Sequence, residues 1–90
     1  MTDAEIDKLC GEKMGFSEAT MLMWYPTYDI EQAMMLEEDI ISRNLTREYE
    51  AALTHVVQRS CGALMALIHA SPRERCLAYL KARGVEVRDA

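Results

Sequence analysis

Residues 69–84, HASPRERCLAYLKARG, specify their own local structure from both ends. Ser71 can accept a hydrogen bond from the amide of Glu74, and Glu74 can reach back to the amide of Ser71. Pro72 then falls at the first helical position, where its missing N–H costs nothing. Cys76, Leu77 and Leu80 recur at three- and four-residue spacing, with Ala78 and Ala82 between them. Lys81 and Arg83 lie in the last turn, where the negative end of the helix dipole favours cations. Gly84 can take the left-handed conformation that ends a helix. Start, body and stop agree on one helix.

The chain has 90 residues, which makes one domain. A domain this small hides only about 60–65% of its unfolded surface, so a modest core must suffice. Half the residues are apolar and 28% are charged, which separates the chain from disordered sequences. Seven methionines suit an adaptable core or a pliable binding surface. The three cysteines, at 10, 61 and 76, form no CxxC pair, so a zinc site is not expected, and their odd number fits a reducing compartment. No apolar run approaches the roughly 18 residues of a membrane helix. The start, MTDAE, is too acidic and polar for a targeting peptide. A reducing cytosol is the expected location, with no membrane partner.

Charge is unevenly placed. Residues 1–50 hold twelve acids and four bases, a charge of −8. Residues 51–90 hold three acids and six bases, a charge of +3, which brings the whole chain to −5. The acidic half would repel a phosphate backbone, so direct nucleic-acid binding is not expected. The asymmetry suits a basic protein partner, head-to-tail self-association, or simple solvation.

Upstream of the opening stretch the chain also reads as helical. Thr2 and Glu5 form a capping box; Ile6, Leu9, Cys10 and Met14 share a face; Gly15 is the stop, giving a helix over 3–14. Residues 16–28 carry the only Trp, and Met21 to Tyr25 could be a short strand or an apolar loop. This segment is either a plug across the helices or a recognition patch built on Trp24, Tyr25 and Tyr28. Asp29 caps a second helix over 30–42, with Gln32 at the reciprocal position. On its wheel Ile30, Ala33, Met34, Leu36, Ile40 and Ile41 share one broad arc, and Met35 points the other way. Glu37 lies inside that arc. It is a rim carboxylate, one paired with Arg or Lys, or an acid of raised pKa. A third helix is expected over 45–58, although Val56 and Val57 would also suit a strand. Residues 59–62 read as a turn and 63–69 as a short apolar run, strand or helical turn. Val85 is expected to pack back on the last helix. The fold class is therefore all-α: a small bundle of about four helices with a short extended segment. The alternative is α+β, with a small sheet from residues 49–57 and 63–70. A bundle of this size benefits from a dimer or higher homo-oligomer.

No catalytic or phosphate-loop motif occurs. His55 and His69 read as structural or surface residues. A thiol–imidazole pair drawn from Cys61 or Cys76 with His69 has no spacing specificity, and a core-facing Cys76 would be inert. Glu37, Glu38 and Asp39 are contiguous, so they spread around a helix rather than converge on a metal. No cofactor is expected. Arg73, Arg75 and Arg83, with the free amides at the start of the last helix, could together form an anion site.

His69 to Gly84 resembles, without a gap, the pattern H-A-T-A-A-Q-R-A-E-A-F-L-R-T-L-G that closes a group of short, uncharacterised phage and prophage proteins. His69, Ala70, Arg75, Ala78, Leu80 and Gly84 match outright; Ser71, Glu74, Tyr79 and Lys81 are close replacements. Pro26, Thr27 and Tyr28, the pair Ala33 and Met34 with Glu38, and Tyr49 resemble further segments of that group. Residues 26–30 are also similar to the P-S-T-D-I segment of the related phage ABA-sandwich domain proteins, which have strands between their helices. Pro72, Arg83 and the lack of a terminal Trp depart from the pattern. The resemblance implies a phage or mobile-element setting in a bacterial host and transfers no functional residue.

Charge, size and the lack of catalytic groups lead to one expectation: a non-enzymatic phage accessory protein that binds a basic host protein. Inhibition of a defence complex such as a CRISPR effector is its sharpest form. The binding residues would be Trp24, Tyr25, Tyr28, Glu31, Met35, Glu38 and Asp39. One alternative is an oligomeric sponge that sequesters a nucleotide signal through Arg73 and Arg75. Another is a phage structural or assembly component.

Overall fold

The computed structural model describes residues 1–57 and 68–87. They form an all-α fold of five helices: α1 (Asp3–Met14), α2 (Glu18–Met21), α3 (Ile30–Ser42), α4 (Thr46–Val57) and α5 (Pro72–Ala82). No strand occurs among the described residues. Residues 49–57, one half of the alternative sheet, are helical in α4. Residues 68 and 69 are also helical. The expected turn at 59–62 and the apolar run from 63 to 67 lie outside the described residues.

Local chemistry sets the helix ends. At α1, Thr2 Oγ1 accepts from the Glu5 amide and Glu5 Oε1 accepts from the Thr2 amide, both at 3.2 Å. The same exchange joins Ser71 and Glu74 at the start of α5. Gly15 and Gly84 take the left-handed conformation just past α1 and α5, with φ of 78° and 82°. That conformation costs a glycine little, because it has no Cβ to clash. Asp29 caps α3 through the amides of Glu31 and Gln32. Gln32 does not reach back to complete a box. Its Oε1 accepts from the Tyr25 amide at 2.6 Å and its Nε2 donates to the Met23 carbonyl at 2.8 Å. The preceding loop supplies better partners than the cap does.

Helix α5 is the hub. It packs against α4, α3 and α1. Every residue from Arg75 to Leu80 is buried. An isolated helix with that pattern looks weakly amphipathic, because apolar side chains leave it in every direction. Here α1 supplies Ile6 and Cys10, α3 supplies Leu36 and Ile40, and α4 supplies Tyr49, Ala52 and Leu53 to close around it. Each fully buried Leu or Ile contributes on the order of 1.5–3 kcal/mol relative to exposure. Val85 returns to the end of α5 as expected, its amide bonded to the Leu80 carbonyl.

Of the two alternatives for Met21 to Tyr25, the loop is found from Leu22 onward, and a short helix before it was not expected. Ser17 accepts from the Thr20 amide and nucleates α2, a single helical turn. The chain then folds Trp24 inward. Its ring meets Phe16 edge-to-face at 4.7 Å and 88°, a favoured arrangement for aromatic pairs. Gly11 lies beneath. A Cβ there would sit 3.1 Å from both Met21 Cε and Trp24 Cδ1, which accounts for a glycine inside α1.

The wheel of α3 needs correction too. Ala33, Leu36 and Ile40 are buried, but Ile30, Met34 and Ile41 are exposed. The apolar arc is wider than the contact, because α3 lies at the side of α5 and buries only the middle of the arc.

Candidate functional site

The acids of α3 divide by direction. Glu37 and Asp39 flank the buried stripe and turn to α5, while Glu38 points to solvent. Glu37 Oε2 accepts from Arg75 Nη1 at 2.7 Å and from the Tyr49 hydroxyl at 2.5 Å. Asp39 Oδ2 accepts from the Tyr79 hydroxyl at 2.7 Å, Arg83 Nη1 at 3.0 Å and Arg43 Nε at 2.9 Å. Arg75, Tyr79 and Arg83 recur every four residues along one side of α5, so one face of that helix receives both carboxylates. Of the readings open for Glu37, the structure shows the arginine-paired one.

Protonation follows this geometry. Burial would raise the Asp39 pKa, but hydrogen bonds from Tyr79 and Arg43 and the charges of Arg43 and Arg83 outweigh it and hold the carboxyl below its ordinary value. Burial, reinforced by the neighbouring carboxylates, pushes the Tyr49 and Tyr79 hydroxyls well above theirs. The Cys76 thiol is pushed far up by its contact with Cys10 and by burial, so it is no nucleophile. Cys61 lies outside the described residues. No group of three or more His, Cys, Asp or Glu among the described residues could hold a metal ion.

The anion site drawn from the last helix is occupied by the fold itself. Arg73 Nε bonds Asp3 Oδ1 at 2.9 Å and its Nη2 the Met1 carbonyl. Arg75 takes Glu37 and the Ala70 carbonyl. Arg83 takes Asp39 and the Lys13 carbonyl. Part of the charge asymmetry between the halves of the chain is therefore satisfied internally, with the bases of α5 facing acids of α1 and α3.

Two of the expected binding residues move inside. Trp24 is only 7% exposed, and its Nε1 has no hydrogen-bond partner among the described residues. It is a plug, as the other reading of that segment held. Asp39 is committed to α5. Tyr25, Tyr28, Glu31, Met35 and Glu38 remain on the surface, with Tyr28 85% exposed.

On α3, Glu31, Met35 and Glu38 share the outer face with Met34 and Ile41, which the wheel had assigned to the core. Eight of the nine exposed large apolar residues among those described fall between Leu22 and Ile41, which concentrates them in one region. Glu31 and Glu38, seven residues apart, run down the middle of the outer face of α3. Met34 and Ile41 flank them on one side and Met35 on the other. Gln32 pins the loop bearing Met23 and Tyr25 to the first turn of α3. Asp7 of α1 accepts from the Thr27 amide at 3.0 Å, and Pro26 is buried. The loop is thereby held against α1 and the first turn of α3. Leu22, Met23, Met34 and Ile41 were not foreseen as surface residues. The available signal was the excess of apolar residues over what one contact face of a 13-residue helix can bury.

No protein-family model, curated protein or solved structure matches this chain. No helix among the described residues is long and apolar enough to cross a membrane.

Proposed function

We propose that the chain acts by binding a protein partner that presents a basic, partly apolar surface to the outer face of α3 and the loop before it. The observation that carries this reading is the exposure of Met34, Met35 and Ile41 beside the Glu31–Glu38 ridge of α3, with further exposed apolar side chains from Leu22 to Tyr28 in the segment before it. Contiguous apolar surface rimmed by charge marks interaction sites. Exposed methionines adapt to a partner at little cost, and a pinned loop loses little entropy on binding. The acidic ridge selects the sign of the partner. A second copy docked face to face would set acid against acid, whereas Lys and Arg would neutralise it. The resemblance of residues 69–84 to phage proteins adds a setting. The partner is then a host bacterial protein in the cytoplasm, and inhibition of a defence effector through its basic surface is the version we favour.

The test is capture from bacterial lysate by the wild type and by the double variant Glu31→Lys, Glu38→Lys. Neither side chain has an ion-pair partner among the described residues, so the variant keeps the fold. The wild type is expected to retain a basic protein at low salt and to release it at high salt, and the variant to retain none. Equal retention by the two overturns the reading.

A further inference from the structure

We infer that the notch between α3 and α4 receives the side chain of a lysine or arginine from the partner; this rests on the protein-binding reading above. The notch is a cavity of about 170 Å³ lined by Glu37, Ile40, Ile41, Thr46, Tyr49 and Glu50. That is room for one long side chain rather than for a helix or a cofactor. Its lining is mixed in the way a cationic side chain requires. Ile40, Ile41 and the Tyr49 ring offer apolar contact to a methylene stem, while the charged end of such a side chain seeks polar partners.

The polar end is built and partly preset. Glu37 Oε2 holds both Arg75 and Tyr49, which fixes the carboxylate in place. Its other oxygen, Oε1, takes no hydrogen bond from a described residue. The Glu50 carboxylate likewise has no partner among the described residues. The charges of Arg75 and Glu37 cancel, so Glu50 leaves the notch with one net negative charge. One cation balances it; an anion would face two carboxylates, and an apolar group would strip water from them without return. The notch is continuous with the proposed docking face, because Ile41 belongs to both. A partner lying along α3 can therefore seat one basic residue here while others meet Glu31 and Glu38.

The experiment titrates the intact chain with N-acetyl-lysine N-methylamide and N-acetyl-arginine N-methylamide, following backbone amide NMR shifts. The norleucine analogue, which lacks the charge, is the control. Saturable shifts at Glu37–Glu50 are expected at millimolar concentration with one or both cationic probes and not with norleucine. Glu50→Gln, at an exposed position free of ion pairs, is expected to weaken that binding about threefold or more, the scale of one partly solvated ion pair. Shifts that are absent, equal in Glu50→Gln, or equally strong with norleucine overturn the inference. The two proposals fail separately. Loss of the lysate partner in the Glu31 and Glu38 variant, with no response to the probes, removes the notch and leaves the docking face. Saturable probe shifts without a salt-sensitive partner leave the notch as a cation site and remove the docking face.

Discussion

Arg75 Nη1 lies 2.7 Å from Glu37 Oε2 and joins α5 to α3 where neither side chain is more than one-fifth exposed. The Tyr49 hydroxyl donates to the same oxygen, so three helices meet at one carboxylate. The acidic N-terminal half and basic C-terminal half meet inside the molecule, and the arginine proposed for a ligand is in structural use.

Removing one member of this cluster leaves the other charged and poorly solvated. Arg75→Ala is expected to cost about 2–4 kcal/mol of stability, somewhat below a fully buried pair because some water reaches it. Arg75→Lys keeps the charge but cannot reproduce the bonds to Glu37 and the Ala70 carbonyl together, and falls between. Urea unfolding measures both; a loss under about 0.5 kcal/mol for the alanine variant would place the pair among ordinary surface contacts.

Stability should fall at both ends of the pH range. The folded-state pKa of Asp39 lies below its unfolded value, so its contribution is present above about pH 4 and is lost as pH falls through the folded value. Asp39→Asn is expected to flatten the acid limb. Tyr49 and Tyr79 have folded-state pKa values above their unfolded ones. Above about pH 10 the unfolded chain releases protons that the folded chain retains, so stability declines there, and Tyr49→Phe with Tyr79→Phe should blunt that decline. Denaturant midpoints across pH read both limbs. A variant with the wild-type slope would contradict the corresponding assignment.

Gly11→Ala sets two effects against each other. Alanine favours the helix by about 1 kcal/mol over glycine. The new methyl group meets the flexible tip of Met21 and, at 3.1 Å, the Trp24 ring. Met21 can yield, but the ring is held against Phe16. We expect a net loss of about 1 kcal/mol, on the low side for overpacking because of the helical gain. Trp24 is the only tryptophan, so its emission should shift red as the ring is displaced. An unchanged spectrum with raised stability would show that Met21 alone yields and the ring stays in place.

Ile40 and Ile41 are adjacent and differ most in burial, at 1% and 69% exposed. Ile40→Ala should cost about 2–4 kcal/mol through the cavity it leaves. Ile41→Ala should change stability by no more than about 0.5 kcal/mol. If the docking face is used, the exposed residue weakens partner capture and the buried one unfolds the chain. Thermal melts set beside the capture assay would expose any reversal of that order.

Much of the local structure was legible from sequence because its causes are local. The capping boxes at Thr2 and Ser71, the Asp29 cap, and the glycines at 15 and 84 act within a few residues of themselves. The core positions of α4 followed from period alone, because α4 turns most of its contact to α5 and has one clear stripe. The turn at Glu18–Met21 escaped because one Ser17–Thr20 exchange in an apolar stretch leaves too little periodicity to register.

The candidate surface was half legible. Met35 could be placed on an outer face from the wheel, and Glu38 read as part of a solvated acidic run. Trp24 could not be assigned inside or outside, since its burial depends on Gly11, thirteen residues away, leaving room for the ring. Met34 and Ile41 read as core because hydrophobicity records what a residue can bury, not whether a neighbour comes to cover it.

Sequence alone determined where the four longer helices begin and where most of them stop, and favoured a small all-α domain over an α+β one, because capping and periodicity are short-range. Only the tertiary structure decided that the charged C-terminal helix is the centre, that Glu37 and Asp39 face inward while Glu38 stays out, and that surplus apolar residues of α3 remain in solvent. Those outcomes depend on which helices surround α5 and from which side, and residues distant in sequence settle that together.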